Sequence, residues 1–306
     1  MHRRNVLKCL AGAAVGSRLS AQNAPQPQQQ QRTPPPVIVY SQNLVEIEYP
    51  ELGDIVQQMG FDGVDLSIRP GGHVEPRLAN VDLVRAFEVM SGNGLIVPVV
   101  TTNITSPGDR TAVPVIALAG MSGAKAFRTG NWPYNNAPSI PQRLGEVQRD
   151  LATLSAIGRQ YTIAAAFYNS TGDNVGASLS DVQRVIEPLD PAWTGYYFDI
   201  ANAVSQNAAG GWEAALKLVL PRLKAVSLQD FVWDTKDGKR QMTRCALGQG
   251  IVEWTKFFQL LAQANYSGPV TVEIGYATKA MPSALVKDLQ FARKQVGAAW
   301  GLGSKT

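Results

Sequence analysis

Two carboxylates, Asp199 and Glu273, stand near the ends of short apolar runs, Gly195 to Ile200 and Pro269 to Ile274. Such a pair divides acid and base duties when burial pushes its pKa values apart, and proton abstraction next to a carbonyl is within its reach. Arg69 and Arg128 carry charge suited to a carboxylate, a phosphate or a developing enediolate oxygen, because guanidinium forms forked, charge-assisted hydrogen bonds. His73 follows Arg69-Pro70-Gly71-Gly72 and titrates in the range of a proton shuttle. The same string also reads as a structured loop whose imidazole caps backbone carbonyls, and a structural salt bridge is the plain alternative for Arg128, Asp199 and Glu273.

These residues need a frame that brings them together. Eight apolar runs have strand character: Val37 to Tyr40, Gly63 to Ile68, Leu95 to Thr102, Ala124 to Thr129, Thr162 to Asn169, Gly195 to Ile200, Lys224 to Gln229 and Pro269 to Ile274. Helical spacing falls between them, with Leu144, Val147, Leu151 and Leu154 on one face and Ile251, Trp254, Phe258 and Leu261 on another. Turn signals such as Met59-Gly60-Phe61-Asp62-Gly63 precede several strands. Eight βα units predict an α/β fold, a single (β/α)8 TIM barrel over residues 37–300; a doubly wound open sheet is the alternative, but no glycine-rich phosphate fingerprint follows the first strand. In a barrel, chemistry collects at the carboxyl ends of the strands, where Arg69, His73, Arg128, Asn169, Asp199, Gln229, Asp230 and Glu273 all fall.

The chain has 306 residues, 45% hydrophobic and 17% charged, enough to bury a large core. No apolar run approaches the roughly 18 residues of a membrane-spanning helix. The formal charge of +4 is carried by Arg3, Arg4, Lys8 and Arg18, which fall in an acid-free stretch of 21 residues, so the remainder is neutral. A neutral body lacks the basic field that binding to nucleic acid relies on. Arg3-Arg4-Asn5-Val6-Leu7-Lys8, the apolar stretch to Val15 and the small residues near Ser20-Ala21 read as a twin-arginine export signal over 1–21, implying a periplasmic or secreted protein. Between Gln22 and Pro36, eleven of fifteen residues are Gln or Pro, the composition of a disordered tether, and 301–306 reads as a tail. Cys245 is the one cysteine beyond the signal and reads as an inert thiol.

Gly60-Phe61-Asp62-Gly63-Val64-Asp65-Leu66, followed by Arg69-Pro70-Gly71-Gly72-His73-Val74, resembles the second βα unit of the xylose isomerase-like TIM barrels. Phe198-Asp199-Ile200, Leu228-Gln229-Asp230-Phe231, Leu247-Gly248-Gln249-Gly250 and Gly268-Pro269-Val270-Thr271-Val272-Glu273 extend the resemblance in order along the chain. It implies a sugar isomerase, epimerase or related lyase, and a divalent metal held by Glu on strand five, Asp after strand six, His on strand seven and Glu on strand eight. Asp199 and Glu273 match two of these positions, while Tyr168 and Ser227 stand at the other two; Gln229 and Asn202 replace a usual Lys and His. Apart from His2 in the signal, His73 is the only histidine, which excludes a multi-histidine metal site. Asp199 and Glu273 with amide or water oxygens would make a partial site for Mn²⁺ or Mg²⁺.

The first expectation is thus an exported sugar isomerase or epimerase working by proton transfer next to the carbonyl of a sugar or keto-sugar. Asp199, Glu273 and His73 would be catalytic, and Arg69, Arg128, Asn169, Gln229, Asp230 and Trp132 would bind substrate, the indole stacking on a sugar ring or simply packing its loop. The alternative is a non-catalytic or metal-free sugar-binding barrel. Apurinic endonuclease chemistry, also present in that superfamily, fails for want of zinc ligands and a basic groove. The expected partner is a small carbohydrate, and no residue pattern specifies an oligomeric state.

Overall fold

The computed structural model describes residues 32–134, 137–206 and 211–302. The expected signal at 1–21, most of the Gln/Pro-rich segment and most of the tail lie outside them. Eight parallel strands close into a barrel in chain order: β1 (Val37–Tyr40), β2 (Gly63–Ile68), β3 (Ile96–Thr102), β4 (Ala126–Arg128), β5 (Ala164–Tyr168), β6 (Thr194–Asp199), β7 (Leu223–Leu228) and β8 (Val270–Val272). Closure is made by β1 on β8, with Val37 opposite Val270 and Val39 opposite Val272. All eight expected runs form barrel strands, and the open-sheet alternative is excluded by this closure.

Helices cover the outside: α1 (Glu51–Met59), α2 (Ala79–Gly92), α3 (Ala112–Met121), α4 (Ile140–Gln160), α5 (Leu179–Ile186), α6 (Ile200–Gln206), α7 (Trp212–Val219), α8 (Trp254–Gln263) and α9 (Met281–Trp300). The chain ends α1 at Gly60, whose φ of 87° places it in the left-handed region and lets its N–H reach Gln57 O and Val56 O. Ser139 starts α4 by accepting from the Gln142 N–H, and Leu144, Val147, Leu151 and Leu154 form its buried face as their spacing predicts. Ile251 departs from expectation: it precedes α8 and is exposed. The face of α8 is instead Trp254, Phe257, Phe258 and Leu261.

Alternation along the strands separates two kinds of interior. Outward side chains such as Val37, Val39, Val64 and Leu66 pack beneath the helices, while Ile38, Val99, Ala126, Ala166, Tyr168, Tyr197 and Ala225 fill the barrel. Small residues on β4, β5 and β7 leave room for the two tyrosines of β5 and β6. Asp65 is buried among these groups, accepting from Tyr197 Oη at 2.6 Å and Thr101 Oγ1 at 2.8 Å. Burial pushes its pKa up to about 7, against the opposing pull of those two hydrogen bonds and of Arg128.

At the other end of the strands, Pro36 O accepts from Val270 N and Thr33 O accepts from Trp300 Nε1, so the approach to β1 is fastened to β8 and to the end of α9. Two ribbons stand apart from the barrel: Trp132–Pro133 with Asn174–Val175, and the antiparallel hairpin of Asp230–Lys236 with Lys239–Cys245. The hairpin turns at Asp237 and Gly238, both with positive φ, as a two-residue Asp-Gly turn requires. The Asp-Gly turn lets the flanking residues pair, from Asp230 opposite Cys245 to Lys236 opposite Lys239.

Candidate active site

The inward residues nearest the carboxyl ends of the strands form one connected polar cluster. Arg128, ending β4, lies with its guanidinium carbon 3.5 Å from the centre of the Tyr168 ring and 5.1 Å from that of Tyr197. Burial alone would depress its pKa, but the surrounding oxygens of Tyr168, Glu273, Tyr197 and Tyr40 outweigh that and keep it charged. Its Nη1 is 3.5 Å from Glu273 Oε2, and the two side chains retain 11% and 16% exposure. Glu273, just past β8, also accepts from Ser227 Oγ of β7 at 3.0 Å.

Asp199, at the end of β6, is fully buried and heavily engaged. Its Oδ1 accepts from the Asn202 N–H, and its Oδ2 accepts from Tyr168 Oη and Gln229 Nε2, each at 2.8 Å. Burial raises its pKa, against the pull of Arg244 and the Asn202 hydrogen bond. Asn169 clasps the same place through the backbone, donating to Asp199 O and accepting from Asp199 N. Gln229 thus bridges Asp199 and, at 3.5 Å, Ser227.

Tyr40, from β1, is buried and keeps its proton because burial raises its pKa, with Arg128 acting in the opposite direction. It accepts from Arg69 Nη1 at 3.4 Å, which attaches exposed Arg69 to the cluster. The hairpin contributes Arg244, whose Nη2 donates to Asn202 Oδ1 at 2.6 Å and lies 4.0 Å from Asp199 Oδ2. Sequence reasoning passed over Arg244 because it is 17 residues beyond Ser227 in the chain; the Asp237-Gly238 turn was the signal that would have folded it back.

The structure puts other expected residues to local use. His73 Nε2 is 3.0 Å from Ile47 O, its ring faces Tyr49, and burial lowers its pKa. The neutral imidazole ties the loop after β2 to the segment after β1. Asp230 accepts four backbone N–H bonds, from Phe231, Gly248, Gly250 and Val252, and a fifth bond from the Trp254 indole. It shapes the loop before α8. A Cβ on Gly250 would fall 2.0 Å from Asp230 Oδ1, so the loop needs glycine there. Trp132 is buried, stacks on Phe167 at 5.0 Å and donates to Thr105 O. Among the described residues, Asp230, Trp132 and His73 make no hydrogen bond or ion pair with Arg128 or Glu273.

A family model for the xylose isomerase-like TIM barrel matches residues 53–295. The chain belongs to that family. Among xylose isomerase-like relatives, the Haemophilus influenzae protein SgbU, provisionally named an L-ribulose-5-phosphate 3-epimerase, is 31% identical over 125 residues, 41% of this chain and 42% of that protein. The alignment therefore spans under half of that relative's length. A xylose isomerase-like barrel protein of Mycobacterium smegmatis, solved in complex with magnesium, superposes with a TM-score of 0.69 at 16% identity over 87% of this chain and 97% of the other. Escherichia coli YcjR, a 3-keto-D-glucoside 4-epimerase, gives 0.65 at 16% identity over 85% and 99%. These structural likenesses show the fold, a xylose isomerase-like TIM barrel.

The family's metal meets a poor donor set in this xylose isomerase-like chain. Asp199 Oδ2 already accepts two hydrogen bonds and faces Arg244, while Glu273 Oε2 faces Arg128. Tyr168 and Ser227 stand where the resemblance calls for Glu and His, and both donate their hydroxyl protons to the two carboxylates. A divalent cation needs lone pairs directed at one point. Here Asp199 Oδ1, Asp199 Oδ2 and Glu273 Oε2 all accept from donors, and no group of three acidic, histidine or cysteine side chains suited to a metal occurs among the described residues.

Proposed function

We propose that the barrel is a sugar epimerase or isomerase acting by proton transfer next to a carbonyl, with the fixed charge of Arg128 as its electrophilic group. The observation that carries the reading is the Arg128–Glu273 pair: a partly exposed carboxylate and a guanidinium 3.5 Å apart inside the carboxyl end of the barrel. Glu273 takes the proton from the carbon beside the carbonyl. The C–H electron pair becomes the double bond of an enediolate, and the displaced carbonyl pair settles on oxygen, where the guanidinium stabilises it. Return of that proton from Glu273 to carbon completes the cycle; where the Tyr40 phenol, which burial keeps protonated, delivers a proton instead, transfer of the proton held on Glu273 through solvent to Tyr40 resets the site. Asp199 is a positioning residue on this reading, fixing Tyr168 beneath the guanidinium.

Incubation with a panel of ketoses and keto-sugars in D₂O tests the reading. Deuterium at the carbon beside the carbonyl, seen by NMR and lost in Glu273→Gln, is the expected result. Binding of a sugar without exchange in the parent chain would support the sugar-binding barrel instead, a reading favoured by Tyr168 and Ser227 at two of the family's metal positions. We also propose export to the periplasm, supported by Arg3-Arg4 and the apolar stretch after them; an Arg3→Lys, Arg4→Lys double variant should stay in the cytoplasmic fraction.

A further inference from the structure

The mouth of the barrel holds more guanidinium than the proton transfer uses. Arg128 is balanced by Glu273, whereas the nearest carboxylate to Arg244 is Asp199, 4.0 Å away and already accepting three hydrogen bonds. Arg244 Nη2 is fixed on Asn202 Oδ1, which aims the group, while Nη1 is buried and donates to no protein atom. A buried N–H without an acceptor is costly, and a charged one more so. Arg69 adds a further cation on the Tyr40 side of the same cluster. The Arg244 stem packs on the segment after β8, since a Cβ on Gly275, two residues past Glu273, would lie 3.1 Å from Arg244 Cγ and 2.8 Å from Gln229 Oε1.

We propose that the substrate is a sugar acid whose carboxylate is anchored by Arg244, while Arg128 faces the reacting oxygen. The inference rests on the reading of this cluster as a sugar site. A carboxylate is favoured over a phosphate because the guanidinium groups of Arg69, Arg128 and Arg244 exceed the carboxylates Asp199 and Glu273 by one charge, which a monoanion balances, and a planar guanidinium fork matches two oxygens of one planar group.

Calorimetric titration of the full chain with glucuronate, galacturonate and mannuronate, each beside its neutral hexose and its hexose 6-phosphate, tests this at equilibrium. At least one uronate is expected to bind about tenfold or more tighter than its neutral partner, in line with a charge-assisted hydrogen bond. Arg244→Gln should abolish that advantage and Arg244→Lys should restore part of it. Arg240→Gln, on the same hairpin but stacked on Trp233, should leave it intact. Uronates that bind no better than hexoses, total silence included, overturn the proposal, as does a preference that survives Arg244→Gln. Tighter binding of the phosphates overturns the carboxylate assignment. Because the readout is binding without turnover, failure of deuterium exchange and failure of this preference are separate results.

Discussion

Glu273 and Asp199 are both acids at strand ends, yet their surroundings give them different work. Glu273 retains an open edge beside Arg128, and Glu273→Gln should lower proton exchange by about 10²–10⁴-fold. The same variant leaves the buried Arg128 without its counter-charge and should also lower the melting temperature by about 4 °C or more. Asp65 offers a pH test. Its folded-state pKa is about 7 against an ordinary value of 3.8, so between these values the native state holds a proton that the unfolded state has lost. Its contribution to stability is full below about pH 4, declines as pH rises, and is gone above about pH 7. The parent should therefore lose more melting temperature from pH 4.5 to pH 7.5 than Asp65→Asn does, a difference that isolates Asp65 from Asp288, also raised, to about 6. Arg128, Glu273 and Gln229 were legible in the sequence because a barrel strand's end is itself an address. Asp230, one residue past Gln229, has the opposite fate because side chains alternate, and only coordinates reveal that five donors consume it.

Loops divide the labour among the elements. Asp230→Ala would strand four backbone N–H groups and the Trp254 indole, at a cost of about 3 kcal/mol or more, which corresponds to a melting temperature lower by roughly 6 °C or more. Gly238→Val acts differently. At φ of 73° a β-branched side chain is strained, so amide exchange should accelerate across 230–245 while the barrel's own protection holds. The strands were legible because parallel barrel strands are apolar on both faces and stand out as runs. α4 was legible from its period. The start of α8 was not, since Ile251 continues the apolar spacing while its loop is held open by Asp230, a tertiary contact invisible to periodicity.

For the molecule as a whole, the positions of charge argue that activity is independent of divalent metal. Dialysis against chelator, then addition of Mn²⁺ or Mg²⁺, is expected to leave proton exchange and melting temperature unchanged, and elemental analysis is expected to find less than stoichiometric metal; a metal-dependent rate would restore the family's usual chemistry. The contact of Trp300 with Thr33, 267 residues apart, has a different consequence. The two ends of the βα series meet, so the ring has no privileged first unit. A circular permutant that joins residue 302 to residue 32 through a short linker and opens between Asp237 and Gly238 should refold to the same barrel, turning the hairpin that carries Arg244 into a pair of termini on which a reporter can be mounted.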